Sequence, residues 1–351
     1  MKTIIWSVDK NVDNQESYQQ IAQAAEFLKE NEVIAFPTET VYGLGGNAKS
    51  NEAVAKIFEA KGRPSDNPLI IHIANKGQLL QFVKEIPEKA NQLIHHFWPG
   101  PLTIIFQKKE GVLSEKATAG LSTVAVRMPN HPVALALIEK SGLPIAAPSA
   151  NRSGKPSPTT ANHVFEDLNG RIPGIVDGGS TGVGVESTVV DCTEDIPVIL
   201  RPGGITKEQL EAVVGEVKVD PALTDEQKAP KAPGMKYQHY APNAPLYLVN
   251  GSTAFIQTLV DEKQKEGFKV GVLTTEEHQG DYKADYIFAC GRRSELESVA
   301  NLLYKALRSF NRSGVDLIFS EMFPTVGVGH AIMNRLTKAA GGKIIEETGK
   351  K

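Results

Sequence analysis

Lys61-Gly62-Arg63-Pro64-Ser65-Asp66-Asn67-Pro68-Leu69-Ile70-Ile71-His72-Ile73 holds a helix end, a stiff polar loop and a short apolar strand. Upstream, residues 51–61 place Val54, Ile57 and Phe58 on one helical face, so a helix delivers the loop. Pro64 and Pro68 are excluded from helix interiors and restrict the residues before them, which leaves the loop little conformational choice. Two readings stand at this level. One is a solvated turn. The other is an anion-gripping loop, in which Arg63 spans two oxygens, Lys61 offers a point charge, and Ser65 and Asn67 add neutral hydrogen bonds.

Working outward, residues 18–30 have helical periodicity, 33–36 read as a short buried strand, and residues 37–46 read as a glycine-rich loop carrying hydroxyls. Gly43, Gly45 and Ala48 match a G-x-G-x-x-A dinucleotide pattern. The match carries little, because the glycines do not directly follow the strand and no acidic residue ends a second strand at the required distance. Further strands fall at 102–106, 122–128, 143–147, 174–177, 187–191 and 198–201, with helices between several of them. This is the alternation of an α/β protein. Polar groups cluster where apolar strands end: Arg127, Ser149 with Asn151, and Arg201. Ligands of open α/β sheets collect at the carboxyl ends of strands. Arg127 is a carboxylate or phosphate grip, or one half of an ion pair. His72, alone in an apolar strand, is a hydrogen-bonded core residue or a ligand.

Residues 215–243 lose the pattern and read as a linker. Its far end, Lys236-Tyr237-Gln238-His239-Tyr240, is rich in groups that can lie over a base or dock the linker. A second, smaller α/β pattern fills residues 244–351. The expected organisation is therefore 1–214, a linker at 215–243, and 244–351.

Composition sets bounds. The chain has 351 residues, 41% apolar and 23% charged, with a net charge of -3. That argues against nucleic acid held by bulk charge. No apolar run is long enough to span a membrane, and the N-terminus lacks a signal-peptide pattern. Cys192 and Cys290 match no metal or redox spacing, which fits buried thiols in a reducing cytoplasm. There is no P-loop, no zinc-protease motif, no nucleophile elbow and no kinase signature set. What remains is a set of hydroxyls, amides and four cations at strand ends: Lys61, Arg63, Arg127 and Arg201. That inventory suits phosphoryl or nucleotidyl transfer, where catalysis is mostly positioning and charge neutralisation.

Four blocks carry a family likeness: Pro37-Thr38-Glu39-Thr40-Val41-Tyr42-Gly43-Leu44, the Lys61–Leu69 loop, Trp98-Pro99-Gly100-Pro101-Leu102-Thr103, and Pro148-Ser149-Ala150-Asn151. Together they resemble the YrdC-type domain. With the appended half and the tyrosine-rich segment at 233–242, the chain resembles the two-domain threonylcarbamoyl-adenylate synthases. The resemblance implies a twisted mixed-sheet YrdC-like α/β domain, joined by a linker to a smaller Rossmann-like α/β domain. It implies ATP, L-threonine and bicarbonate as substrates, with Mg²⁺ carried on ATP and no protein metal cage. It implies downstream threonylcarbamoyl transferase proteins, with tRNA reached indirectly. Carried over by motif position, Arg63, Asn67, Thr123, Ser149, Ser157, Arg201 and Tyr237 would hold ATP, with Lys61 and Arg63 at the reacting phosphates. Thr40, His72, Arg127, Ala147 (through its backbone) and Ser187 would hold threonine. Tyr237 would make the linker a lid, with Tyr240 as its substitute. Two competing readings are an RNA-binding module without ATP turnover and a carbamoyl transferase of the hydrogenase-maturation type. The second lacks its expected cysteine pattern here.

Overall fold

A computed structural model describes residues 2–9, 12, 15–223 and 239–347. The described chain divides into two compact units. The first comprises residues up to 153, with 157–182 and 186–223. The second comprises 239–347, together with the short pieces 154–156 and 183–185.

The first unit is built on strands β1 (Ile4–Ser7), β2 (Ile34–Phe36), β3 (Gly43–Asn47), β4 (Ile70–His72), β5 (Leu102–Gln107), β6 (Thr123–Arg127), β7 (Ile145–Ala146), β8 (Gly174–Asp177), β9 (Thr188–Asp191), β10 (Val198–Arg201) and β11 (Lys218–Val219). Its helices are α1 (Gln15–Lys29), α2 (Asn51–Lys61), α3 (Lys76–Phe82), α4 (Glu88–Phe97), α5 (Glu115–Thr118), α6 (Pro132–Ser141), α7 (Ala161–Leu168) and α8 (Lys207–Val214). The strand order is β1-β8-β2-β3-β7-β4-β6-β5-β9-β10-β11. Parallel and antiparallel neighbours both occur: β4 runs parallel to β6, and β5 antiparallel to β6 but parallel to β9.

Side chains alternate between sheet faces, and the central strands use both. Ile71, Ile104, Phe106, Val124, Val126 and Val190 face the main core. The opposite face carries Ile70, Ile105, Ala125, Val189 and Leu200, a small separate apolar cluster. The register aligns Ile70 with Ala125 and His72 with Arg127. The same face therefore holds Thr103, Thr123, Arg127 and His72, two residues along from the cluster's members.

Two local results differ from the sequence reading. Residues 43–47 are a strand, not a loop. Glycine gives no β-propensity signal, yet a Cβ at Gly45 would sit 2.7 Å from both Ile145 and Phe36, so close packing requires glycine there. Ile4–Ser7, passed over in the sequence, is an edge strand parallel to β8, with Trp6 packed on Phe27 at 5.7 Å between ring centroids.

The second unit is a five-stranded sheet, β12 (Leu246–Asn250), β13 (Val270–Thr274), β14 (Tyr286–Ala289), β15 (Leu317–Glu321) and β16 (Ile344–Glu346), with helices α9 (Thr253–Lys265), α10 (Leu296–Ser313) and α11 (Gly329–Ala340). Its order is β14-β13-β15-β12-β16, parallel throughout. This is the doubly wound, Rossmann-like pattern. Cys192 and Cys290 are both buried and unpaired as disulfides, and burial pushes the Cys192 thiol up to about 12. Among the described residues, no helix is long and apolar enough to cross a membrane.

Candidate active site

The opening stretch folds as a capped helix followed by a rigid loop. Gly62 ends α2 in the left-handed region, at φ 62°, and Arg63 N–H returns to Phe58 O at 3.0 Å. This six-to-one closure is why a glycine stands there. The cap leaves Lys61 on the buried side. Its ammonium donates to Ser149 O, to Asn151 O at 2.6 Å and to Asn151 Oδ1 at 3.4 Å. Lys61 thus fastens the loop after β7 to the loop after α2. Ser149 Oγ donates to Asn151 Oδ1 at 2.5 Å, so Asn151 organises both ends of this junction. Backbone bonds from Leu44 to Pro148, Ala150 to Tyr42, and Tyr42 to Pro158 add the β2–β3 turn to the same assembly. Asn67 is buried at the end of the opening loop and Arg63 is half-buried.

At the carboxyl end of β6, Arg127 is nearly fully buried and polar on every side. Nε donates to Gly100 O at 3.2 Å, Nη1 to Thr40 Oγ1 at 2.9 Å, and Nη2 lies 2.6 Å from a Glu39 carboxylate oxygen. The Thr38 hydroxyl donates to Val41 O at 2.6 Å. Thr38 Oγ1 therefore receives the Thr40 proton across their 2.9 Å contact. The chain Arg127, Thr40, Thr38, Val41 has one direction, which pins the guanidinium.

His72 is the strand neighbour of Arg127. Its Nδ1 lies 3.2 Å from Ile70 O, and its ring meets Phe36 edge-on at 6.2 Å. Burial, then the positive charge of Arg127, pulls the imidazole down to about 3. The ring is neutral at physiological pH, Nδ1–H donates to the carbonyl, and Nε2 keeps its lone pair. Because its folded pKa lies below the unfolded value near 6.5, the unfolded chain binds more protons between those limits. Stability is therefore full above pH 6.5 and lost on acidification. Urea unfolding at pH 7.5 and pH 5.0 is expected to show a loss for the parent chain about 2 kcal/mol greater than for His72→Gln.

Across the same face, Arg201 donates to Ser187 O from Nε at 3.2 Å and from Nη2 at 2.9 Å, and Nη2 also reaches Ser187 Oγ at 3.2 Å. A register shift between Ile199 and Arg201 aims Arg201 here, as bulges beside sites do. Ser187 Oγ lies 2.8 Å from Thr103 Oγ1. Ser157 is fully buried and donates to Glu186 Oε1 at 2.6 Å. Its proton is thus committed, and toward a ligand it offers a lone pair. Glu186→Gln replaces an acceptor-only carboxylate with an amide that can also donate, so the Ser157 proton is no longer committed. The expected result is a KM for ATP about tenfold higher with thermal stability nearly unchanged; an unaltered KM would remove Ser157 from the nucleotide site.

The structure thus joins Arg127, Thr40 and His72 in one group, Ser187 and Arg201 in another, and Lys61 and Ser149 in a third. Thr123 lies four residues before Arg127 on β6, about 13 Å away on the same face, with Ala125 between. Ala147 N–H is bonded to Ile70 O at 2.9 Å, so its carbonyl is the group left for a ligand. Tyr237 and Lys236 lie outside the described residues. Tyr240 does not serve as the alternative lid: its ring is buried against Tyr304, with centroids 5.2 Å apart, inside the second unit.

Glu39, Thr103 and Glu186 are partners that the sequence did not single out, although two of them lie in the motif blocks. Glu39, a lone acid among hydroxyls, was the available signal. The apolar floor of Ile70, Ala125 and Ile105 needed the sheet register.

Cations, hydroxyls and a neutral imidazole gather at the strand ends of an α/β protein. A family model described as "Telomere recombination" matches residues 26–203, and one described as "Threonylcarbamoyl-AMP synthase, C-terminal domain" matches 205–341. The threonylcarbamoyl-AMP synthase of Bacillus subtilis is 63% identical over 345 residues, covering 98% of this chain and 100% of the relative. The Schizosaccharomyces pombe enzyme of that name is 43% identical over 359 residues, covering 91% and 88%. The crystal structure of Pyrococcus abyssi Sua5 complexed with L-threonine superposes with a TM-score of 0.91 at 51% identity, covering 98% of this chain and 100% of that one. The chain belongs to the threonylcarbamoyl-AMP synthase family.

Proposed function

We propose that this chain is a nucleotidyltransferase that makes threonylcarbamoyl-AMP, pyrophosphate and water from L-threonine, bicarbonate and ATP. The observation that carries the reading is Arg127: a buried guanidinium at a strand end, fixed by Gly100 O and Thr40, with its outer nitrogen against a carboxylate. A guanidinium held this way is complementary to the α-carboxylate of an amino acid. His72 Nε2 would accept a hydrogen bond from the substrate's ammonium or hydroxyl.

In the chemistry, the threonine nitrogen attacks bicarbonate and water is lost, giving a carbamate. A carbamate oxygen then attacks the α-phosphorus of ATP. The bond from that phosphorus to the bridging oxygen breaks, and pyrophosphate leaves with the electron pair. The attacker comes from the substrate, so the protein's task is orientation and charge neutralisation. Arg63, Asn67, Ser149 and Arg201 are assigned to the nucleotide, with Ser157 accepting from its sugar or base and Thr123 at its far end. Ser187 and the Ala147 carbonyl are assigned to threonine. Lys61 is assigned to holding the nucleotide loop beside the phosphates. Mg²⁺ would arrive on the triphosphate and offset charge on the departing pyrophosphate. The donor set here, cations, amides and hydroxyls, fits phosphate oxygens. Residues 218–219 belong to the sheet as β11 and Tyr240 packs in the second unit, so the covering role is assigned to Tyr237 and not to the whole stretch 215–243.

The product would pass, in the cytoplasm, to a transferase that modifies adenosine in tRNA. An RNA-binding role without turnover is not favoured: Lys61, Arg127 and Arg201 are engaged internally and buried. The test is pyrophosphate release from ATP. Release that needs both threonine and bicarbonate supports the reading; release with neither, or none with ATP bound, overturns it.

A further inference from the structure

We propose that the second unit carries its own binding site for a small phosphorylated metabolite, in a cavity at the carboxyl ends of β12 and β15. The topology marks both sides of β15, and this is one of them. The chain leaving β12 passes through α9 to β13, on one side; the chain leaving β15 passes through α11 to β16, on the other. Adjacent parallel strands whose connections depart in opposite directions leave a crevice at their carboxyl ends, where doubly wound sheets bind ligands. A cavity of about 200 Å³ lies there, bounded by the β12–α9 turn, by the end of β15, and by His278, Tyr282 and Arg293. That volume is below the roughly 300–1,000 Å³ typical of drug-sized ligands. It suits a phosphate with a small organic body, and not a dinucleotide.

The walls carry one cation, Arg293, one acid, Glu321, and several hydrogen-bond donors. Glu321, the acid at the centre, is already compensated. It accepts from Thr274 Oγ1 at 2.5 Å, Tyr282 OH at 2.9 Å, His278 Nδ1 at 3.1 Å and Arg293 Nη1 at 3.1 Å. Arg293 is pinned further by Met322 O at 2.9 Å and by the Phe323 ring at 5.7 Å. It remains about a third exposed, as does His278. Both therefore present a rigid polar edge to solvent while anchored behind by one carboxylate. The Glu321 carboxylate thereby fixes how the Arg293 and His278 side chains face the cavity.

The third wall is Thr253, the first residue of the 13-residue helix α9. Its N–H has no intrahelical acceptor and its hydroxyl stands beside it. The preceding Ser252 shows what this turn accepts: its N–H and hydroxyl donate to the Glu347 carboxylate at 2.8 and 3.0 Å. An oxyanion bound by Thr253 and Arg293 would meet donors from two separate segments, with His278, whose Nδ1–H is committed to Glu321, standing beside it. None of these residues belongs to the site on the first unit's sheet, so the two sites can be tested apart.

The experiment uses the full chain with its histidines labelled at the ring carbon, and follows the His278 resonance, assigned by its loss in His278→Asn. Inorganic phosphate, pyrophosphate and ribose 5-phosphate are titrated separately at millimolar concentrations. A saturable shift is expected with ribose 5-phosphate, at least about tenfold weaker in Arg293→Ala and in Thr253→Val. An equal response to inorganic phosphate would also support the site and would identify free phosphate as its ligand. No shift with any of the three, or a shift that survives both substitutions, would overturn it. Threonine-dependent pyrophosphate release, measured in the same variants, separates this site from the proposed active site: its presence or absence leaves the His278 readout unchanged.

Discussion

Arg127→Ala is expected to weaken threonine binding between about 30-fold and several thousand-fold while leaving ATP affinity within a few-fold of the parent. Truncating one partner of a buried, hydrogen-bonded charge pair costs about 2–5 kcal/mol, and each 1.4 kcal/mol is a factor of ten. The effect has two parts. The substrate loses its guanidinium, and Glu39, whose oxygen lies 2.6 Å from Nη2, loses its counter-charge. The second part lowers stability without bearing on recognition. A double variant, Arg127→Ala with Glu39→Gln, separates them: it is expected to regain much of the lost stability and none of the threonine affinity. Calorimetric titration with threonine and with ATP is the measurement. A folded Arg127→Ala chain that binds threonine normally would remove Arg127 from the substrate site.

Lys61→Met should give the other large effect, through a different route. The ammonium bonds the carbonyls of Ser149 and Asn151 from within the protein. Its removal leaves two oxygens without that donor, at about 1–3 kcal/mol for each buried group left unsatisfied. A melting temperature lower by on the order of 5 °C follows for a protein of this size. If Lys61 acts by holding the loop, ATP affinity and melting temperature fall together, and Lys61→Arg, with a larger and differently shaped donor, restores neither fully. If it acts on the phosphates directly, turnover falls while the melting temperature stays. Thermal melts beside steady-state kinetics in both variants decide between the two.

The sites most legible in the sequence were those where a lone polar residue closes an apolar run. Arg127 and Arg201 stand out this way because strand interiors tolerate little charge. The α/β class was legible for a related reason: apolar runs and helical periodicity alternate along both halves. Less visible were groups whose meaning depends on what lies opposite. Glu186 is one acid among many until Ser157 is placed 2.6 Å away. Glu39 reads as a turn residue until Arg127 arrives from 88 positions down the chain. The β3 strand was hidden because glycines there answer to the space beside Phe36 and Ile145, not to any propensity.

The alternation along β4, β5 and β6 carries a consequence for how this protein can change. On β6 Val124 and Val126 hold the interior together, as Ile71 does on β4, while Thr123, Ala125 and Arg127 look to the opposite face, with the candidate site. The two sets share a backbone and differ only in parity. Sliding β6 by one residue would drive a guanidinium into the oily side and strip the binding side in the same event. Folding errors of that kind are therefore self-announcing, since no shifted form can be both stable and competent. Evolution can retune either face by substitution, but an insertion or deletion within these strands would break both at once.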